Sequence, residues 1–298
     1  MNYESHPVRV ARKNAWRARH WLSKEDYRGK NREYSRIFRQ THKRIGQYQI
    51  VLTESHLERP LQIKSNNIAV ISDCHIPFID KFFLEQFRQD SADRSINDLA
   101  IVGDFWDCDS LSIYPTYLGE KWSFDQEKIE IQKVLRILLD QFKNVYICQG
   151  NHEYRWARLH TALNTDQLWA QVFTVKNEAD FTLLDWPRNL HVTKNDYMLL
   201  NETWRLTHPR NYRQVALSVA NVLAQKYHKN IANAHGHFAY GPELDQVSKS
   251  YWIMDLGGLF NPEAIEYMQR SSTYPALSRG YGFIQDDIPE LVKEKRSQ

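Results

Sequence analysis

Three short apolar runs, NIAVISD (67–73), LAIVGD (99–104) and NVYICQGN (144–151), each stop at a polar residue, and longer amphipathic stretches lie between them. Apolar runs of that length, bounded by turn residues, read as buried strands. Buried strands alternating with helices imply an α/β core. The stretch SFDQEKIEIQKVLRILLDQF supplies one of the helices. Ser123 and Gln126 stand at capping-box spacing, and Ile131, Val134, Leu135, Leu138, Leu139 and Phe142 recur at helical intervals. After residue 180 the pattern turns strand-rich. NLHVTKNDYMLLNETWRLTHP reads as a meander, and NIANAHGH, SYWIMDLGG and GYGFIQ follow as short strands. The second half is therefore expected to supply a second sheet packed on the first.

The strand ends carry the chemistry. The first run finishes in Asp73-Cys74-His75, the second in Gly103-Asp104 with Asp107 following, and the third in Asn151-His152; later, WRLTHP ends in His208 and NIANAHGH in His235 and His237. In open α/β sheets ligands bind outside the carboxyl ends of the strands. Two divalent cations held close together need mixed oxygen and nitrogen ligands, and a carboxylate between them offsets their repulsion. An Asp at a Gly-Asp turn suits that bridging place, because glycine permits a sharp backbone approach. Alternation along an extended segment would put both ends of D-x-H, and both ends of H-x-H, on one side.

In order, D-x-H, G-D-x-x-D, G-N-H-E, a lone His and a closing H-x-H resemble the motif series of the calcineurin-like metallophosphoesterases, over roughly residues 67–260. The resemblance implies a four-layer α/β/β/α sandwich holding two divalent metal ions, with Mn favoured and Fe, Zn or Ni as the other candidates. By motif, Asp73, His75 and His237 would bind one ion, Asn151, His208 and His235 the other, and Asp104 would bridge them. His152 would be a catalytic non-ligand that stabilises the transition state or protonates the leaving group, with Asp107 orienting it. The implied reaction is phosphate-ester hydrolysis by a metal-bridged hydroxide. The chain also departs from the family's pattern. Phosphoprotein phosphatases continue G-D-x-x-D with Arg-Gly, whereas Cys108-Asp109 follow here, which disfavours protein dephosphorylation. His208 is followed by Pro209-Arg210 instead of Gly, and Ala234 stands where Gly precedes the closing motif.

Other side chains near the motifs allow two readings. Arg155 and Arg158 after G-N-H-E, and Arg210 and Arg213 after His208, either reach a substrate phosphate or form solvated surface. Arg155 and Arg210 are carried forward as substrate-binding candidates. Cys74, Cys108 and Cys148 lie beside metal motifs but read as small buried apolar groups. His160, His191 and His228 stand off the motif series and read as surface or packing residues.

The 298 residues suffice for one large domain with an appendage or for two modest domains. Apolar residues at 42% and charged residues at 25% exclude wholesale disorder. No apolar run approaches the roughly 20 residues of a membrane span. MNYESHPVRVARKNAWRARHW has no apolar core of a secretory signal, and three cysteines without short spacing fit a reduced compartment, so a cytoplasmic location is expected. The net charge of +3 hides an asymmetry, because residues 1–65 carry a net +9 and the remainder a net −6. Residues 1–65 are read as a basic helical extension and residues 66–298 as the catalytic domain. In the extension, fifteen Lys and Arg interleave with Trp16, Trp21, Tyr27, Tyr34, Phe38 and Tyr48. That is either the footprint of a nucleic-acid surface or a helical appendage whose rings pack on the domain. The favoured reading is a phosphodiesterase, with nucleic acid as a candidate substrate. Its rivals are a small-molecule phosphomonoesterase or nucleotide hydrolase, and a non-catalytic nucleic-acid-binding protein with a structural metal site.

Overall fold

A computed structural model describes residues 60–112, 122–155, 187–265 and 277–294. Residues 1–59 of the basic extension, together with Arg158 and His160, lie outside the described residues.

Two six-stranded sheets form the frame. In the first, β2 (Asn67–Ile71), β3 (Asp98–Val102), β4 (Asn144–Cys148) and β5 (Leu190–Val192) run parallel in that order. On the other side of β2, β11 (Gly280–Gln285) and β12 (Ile288–Lys293) add antiparallel strands. The second sheet has the order β1 (Leu61–Ile63), β6 (Tyr197–Leu200), β7 (Trp204–Thr207), β8 (Asn230–Asn233), β10 (Trp252–Leu256) and β9 (Ala239–Leu244). Its pairing is mixed: β6–β7 and β10–β9 are antiparallel, and the other pairs are parallel.

Each buried strand feeds two cores because successive side chains point to opposite faces. Ile68, Val70, Ala100, Val102 and Cys148 face the second sheet, where they meet Met198, Leu200, Trp204, Leu206, Met254 and Leu256. Ala69, Ile71, Leu99, Ile101, Val145 and Ile147 face away from it, against α1 (Lys81–Asp93) and α2 (Phe124–Gln141). On the far side of the second sheet, Leu217, Ala220 and Ala224 of α3 (Ser218–Tyr227) and the residue before it pack on Ile231 and Ile253. Four layers result: helices, sheet, sheet, helix. Burying one such aliphatic side chain contributes about 1.5–3 kcal/mol.

The predicted capping box of α2 is formed. Ser123 Oγ accepts from the Gln126 amide at 3.3 Å, and Gln126 Oε1 accepts from the Ser123 amide at 2.9 Å. The strand-rich half divides differently from the predicted meander. Leu190–Val192 pairs with β4 in the first sheet, and only Tyr197–Leu200 and Trp204–Thr207 form a hairpin in the second. GYGFIQ likewise returns to the first sheet, beside β2. β1 falls before residue 66, inside the segment read as the basic extension, and pairs with β6. Register then positions the site. Ile71 sits level with Ile101, and Val102 with Cys148, so the chains leaving β2, β3 and β4 emerge together at one sheet edge.

Candidate metal centre

Beyond that edge the backbone stops being extended. Asp73 (φ 46°), His75 (φ 47°), Asp104 (φ 48°), His235 (φ 73°) and His237 (φ 55°) all occupy the left-handed region. Convergence of D-x-H and H-x-H thus comes from paired left-handed residues, in place of the strand alternation expected from sequence. Non-glycine residues hold such angles at about 1–3 kcal/mol each, and persist where surrounding structure fixes them. Here the fixing is explicit. The amides of Asp73, His75 and Ile76 donate to the carbonyls of Gly103, Asp104 and Phe105 at 3.1, 2.9 and 3.0 Å, which zips the loops after β2 and β3 together.

Three donor clusters result, Asp73/His75/His237, His75/Asp104/His152 and Asp104/His208/His235, and in each the ligand atoms lie within 4.8 Å of one another. They are nearly closed to solvent, with Asp73 and His75 fully buried and Asp104 and His208 at 1% exposure. The first cluster brings Asp73, His75 and His237 together, the third brings Asp104 to His208 and His235, and Asp104 belongs to two of the three. Asn151 joins through its Oδ1, 2.9 Å from His208 Nε2.

The two carboxylates are built alike. One oxygen of each is pinned by a backbone amide: Asp104 Oδ1 by His152 N at 2.9 Å, and Asp73 Oδ2 by His235 N at 3.2 Å. The other oxygen of each, Asp104 Oδ2 and Asp73 Oδ1, is buried without a hydrogen-bond partner. Each faces an imidazole nitrogen at 3.2 Å, Asp104 Oδ2 that of His208 and Asp73 Oδ1 that of His237. The imidazoles are oriented from behind. His208 Nδ1 donates to the Val102 carbonyl at 3.0 Å, and His75 Nδ1 to Asp107 Oδ1 at 2.8 Å, which turns each Nε2 inward. Unpaired carboxylate oxygens and inward-turned imidazole nitrogens in one buried space are the donor set of divalent transition ions, so the residues fit the expected metals.

Electrostatics follow the same geometry. Burial works against ionising Asp104 and Asp73, but the neighbouring histidines outweigh it, His208 foremost, and hold both carboxyls below the usual range. Burial likewise opposes charge on His208, yet Asp104 and Asp73 push it up to about 10. Burial and then the charge of His208 bring His235 down to about 4.

Asp107 backs two rings. Besides His75 it reaches His152, whose Nδ1 lies 2.8 Å from the Asp107 carbonyl and 3.1 Å from its Oδ1. His152 Nε2 is 3.9 Å from Asp104 Oδ2, at the margin of the clusters. Arg155 does not extend outward as a free cation. Its Nη1 donates to the Asp107 carbonyl at 2.9 Å, and its Nη2 lies 3.2 Å from His152 Nε2. Arg210 is exposed, its guanidinium 4.5 Å from the Tyr154 ring. All three cysteines are free and buried, and burial pushes their thiols up, which leaves them inert.

Sequence reasoning assigned no role to Glu153. Its buried carboxylate accepts from the amides of Asp104 (3.2 Å), Trp106 (3.0 Å) and Gly150 (2.8 Å), and so ties the loop after β3 to the loop after β4. Burial foremost raises it to about 7. Its place in G-N-H-E was the available signal. The glycines also act differently from expectation. A Cβ on Gly103 (φ 71°) would lie 2.6 Å from the His208 ring, so this glycine makes room for a ligand side chain. Ala234 fits where glycine is usual because its methyl group is buried between the sheets.

A centre of this kind on a two-sheet α/β frame is that of a metal-dependent phosphate-ester hydrolase. The sequence model of the calcineurin-like phosphoesterases matches residues 67–286, and the chain belongs to that family. No curated protein matches it. Among solved structures, the phosphoesterase Yfce from E. coli is similar at 16% identity, over 75% of this chain and 90% of that one, with a TM-score of 0.37. Vacuolar Protein Sorting 29 from Cryptosporidium parvum is similar at 14% identity, over 78% and 98%, with a TM-score of 0.35. The nuclease MPE from Pseudomonas putida is similar at 12% identity, over 76% and 87%, with a TM-score of 0.32. Among the described residues, no helix is long and apolar enough to cross a membrane.

Proposed function

We propose that the chain is a dinuclear metal-dependent phosphodiesterase, with nucleic acid or nucleotide esters as its substrate class. The observation that carries this reading is the matched pair of half-pinned carboxylates, Asp73 and Asp104, whose bare buried oxygens share one space with inward-facing imidazoles. Asp73, His75 and His237 would hold one ion, Asn151, His208 and His235 the other, and Asp104 would serve both. Mn is the favoured ion, and the same donors accept Fe, Zn or Ni. Bound there, the pair supplies Lewis-acid charge for the phosphoryl oxygens and makes a water acidic enough to act near neutral pH.

The protein's own part is placement and proton handling. The attacking water gives one proton to solvent as its oxygen bonds to phosphorus, the ester P–O bond breaks in line, and the leaving oxygen takes a proton from His152, which solvent then replaces. Asp107 holds His152 by Nδ1, and Nε2 lies 3.9 Å from Asp104 Oδ2 and 3.2 Å from Arg155 Nη2, at the margin of the centre. General-acid help of this kind is worth about 10²–10⁴-fold. Arg155 is occupied by Asp107 and His152, and among the described residues Arg210 and Arg213, exposed after His208, offer guanidinium charge to a substrate phosphate.

The test is a paired assay of bis-p-nitrophenyl phosphate and p-nitrophenyl phosphate with Mn, Ni, Zn and Mg. Faster turnover of the diester is expected. Faster turnover of the monoester with every ion would replace this reading by a phosphomonoesterase.

A further inference from the structure

Glu127 is a carboxylate for which the reaction above has no use. It lies in the first turn of α2, one turn ahead of Ile131 on the face packed against the first sheet, and is fully buried. A carboxylate on an apolar helical stripe needs donors at its oxygens to survive burial. Three supply them. Oε2 accepts from Trp106 Nε1 at 2.9 Å and from Ser110 Oγ at 2.9 Å, and Oε1 accepts from the Ser110 amide at 3.1 Å. Trp106 and Ser110 stand on either side of Asp107 and Cys108. Within that turn Cys108 holds a left-handed φ of 52°. A non-glycine residue keeps such a backbone where its surroundings fix it, and Glu127 grips the turn at both ends. The turn in turn aims Asp107. Its Oδ1 meets Nδ1 of His75 at 2.8 Å and Nδ1 of His152 at 3.1 Å, and its carbonyl accepts from the same His152 nitrogen at 2.8 Å.

We propose that Glu127 is a positioning residue for the reaction: by clamping the Trp106–Ser110 turn it fixes Asp107, and through Asp107 the direction in which His152 offers its proton. The proposal rests on the phosphoesterase reading above. Glutamine is the informative replacement, because it keeps the shape of the side chain. A carboxylate accepts at both oxygens, whereas an amide has one accepting and one donating end. Whichever way that amide turns, its NH₂ faces either the Trp106 Nε1–H or the Ser110 N–H. One of the two grips then opens.

The experiment compares bis-p-nitrophenyl phosphate with diphenyl phosphate at saturating Mn, using the full chain and its Glu127→Gln and Ser110→Ala variants. p-Nitrophenolate leaves readily without a proton, whereas the more basic phenolate depends on one, so only the second ester reports the aim of His152. Glu127→Gln should lower kcat for diphenyl phosphate by about tenfold or more, and that for bis-p-nitrophenyl phosphate by less than about threefold. Ser110→Ala, which removes one bond of the three, should show the same split in smaller measure, and it decides should Glu127→Gln not fold. His152→Asn marks the full split. Equal losses with both esters are what lost stability alone would produce; they overturn the proposal, as does the absence of any loss. If the wild-type chain hydrolyses neither ester, or His152→Asn shows no split, the reading of His152 fails. The imidazole Nδ1–H proton resonance of His152, recorded in the full chain with Zn added, then decides. Its loss or displacement in Glu127→Gln supports the clamp, and an unchanged resonance rejects it.

Discussion

Oδ1 of Asp107 lies 2.8 Å from Nδ1 of His75, and both side chains are buried. The same carboxylate oxygen is 3.1 Å from Nδ1 of His152. A proposed ligand and a proposed proton donor therefore share one orienting group. Asp107→Ala should weaken binding of the ion held by His75 by about 10–100-fold. It should also lower kcat by about 10²–10⁴-fold. Metal content by elemental analysis and steady-state kinetics check the two losses separately; a variant that loses one and keeps the other breaks the shared role.

Asp104 and His152 should part company under substitution. Asp104→Asn removes charge from the one carboxylate that belongs to two clusters, so both metal content and turnover should fall. His152→Asn should retain its metal and lose turnover. Full metal content and full activity in the Asp104 variant would reject its bridging place.

Gly103→Ala places a methyl group 2.6 Å from the His208 ring at a φ of 71°. Overpacking of this kind costs typically about 1–3 kcal/mol, and the ring cannot retreat without leaving the Val102 carbonyl. Lower thermal stability together with weaker metal uptake is expected. Calorimetric melting with and without Mn measures both, and a variant of wild-type stability and affinity contradicts the packing described.

Glu127 of α2 is buried and accepts from Trp106 Nε1 (2.9 Å), the Ser110 amide (3.1 Å) and Ser110 Oγ (2.9 Å). Burial foremost raises its carboxyl to about 7 from the model-peptide 4.5. The folded chain then binds the proton more tightly than the unfolded chain does. Stability from this group is complete below about pH 4.5 and is lost as pH rises through 7. The loss is on the order of 3 kcal/mol. Glu127→Gln should flatten that part of the pH–stability curve, as read by urea unfolding between pH 5 and 8. An unchanged slope would show that Glu127 ionises at no cost in the fold.

The frame was legible because its signals are local. Apolar runs gave β2, β3 and β4, and Ser123 with Gln126 gave the start of α2 through two hydrogen bonds three residues apart. The convergence of Asp73, His75, Asp104, His208, His235 and His237 was legible as motif order, since each stands just beyond an apolar run. What sequence could not give is set by distant partners. Which sheet Leu190–Val192 joins depends on its pairing with β4, not on its own composition. The left-handed backbone at Asp73 and Asp104 contradicts the extended geometry that spacing alone suggests, because cross-loop amide bonds override local preference. Arg155 looked free to meet substrate because its partner, Asp107, is remote in the chain.

Ile68 pairs with Ile284, so the strand that opens the first sheet gains one of its two neighbours only from residues synthesised much later. Contacts of such sequence separation form slowly. A nascent chain halted before residue 280 would present the flank of β2 as an unpaired backbone edge, a template for self-association. Completion of the first sheet thus waits on β11, and chains lacking that strand expose the β2 flank to self-association.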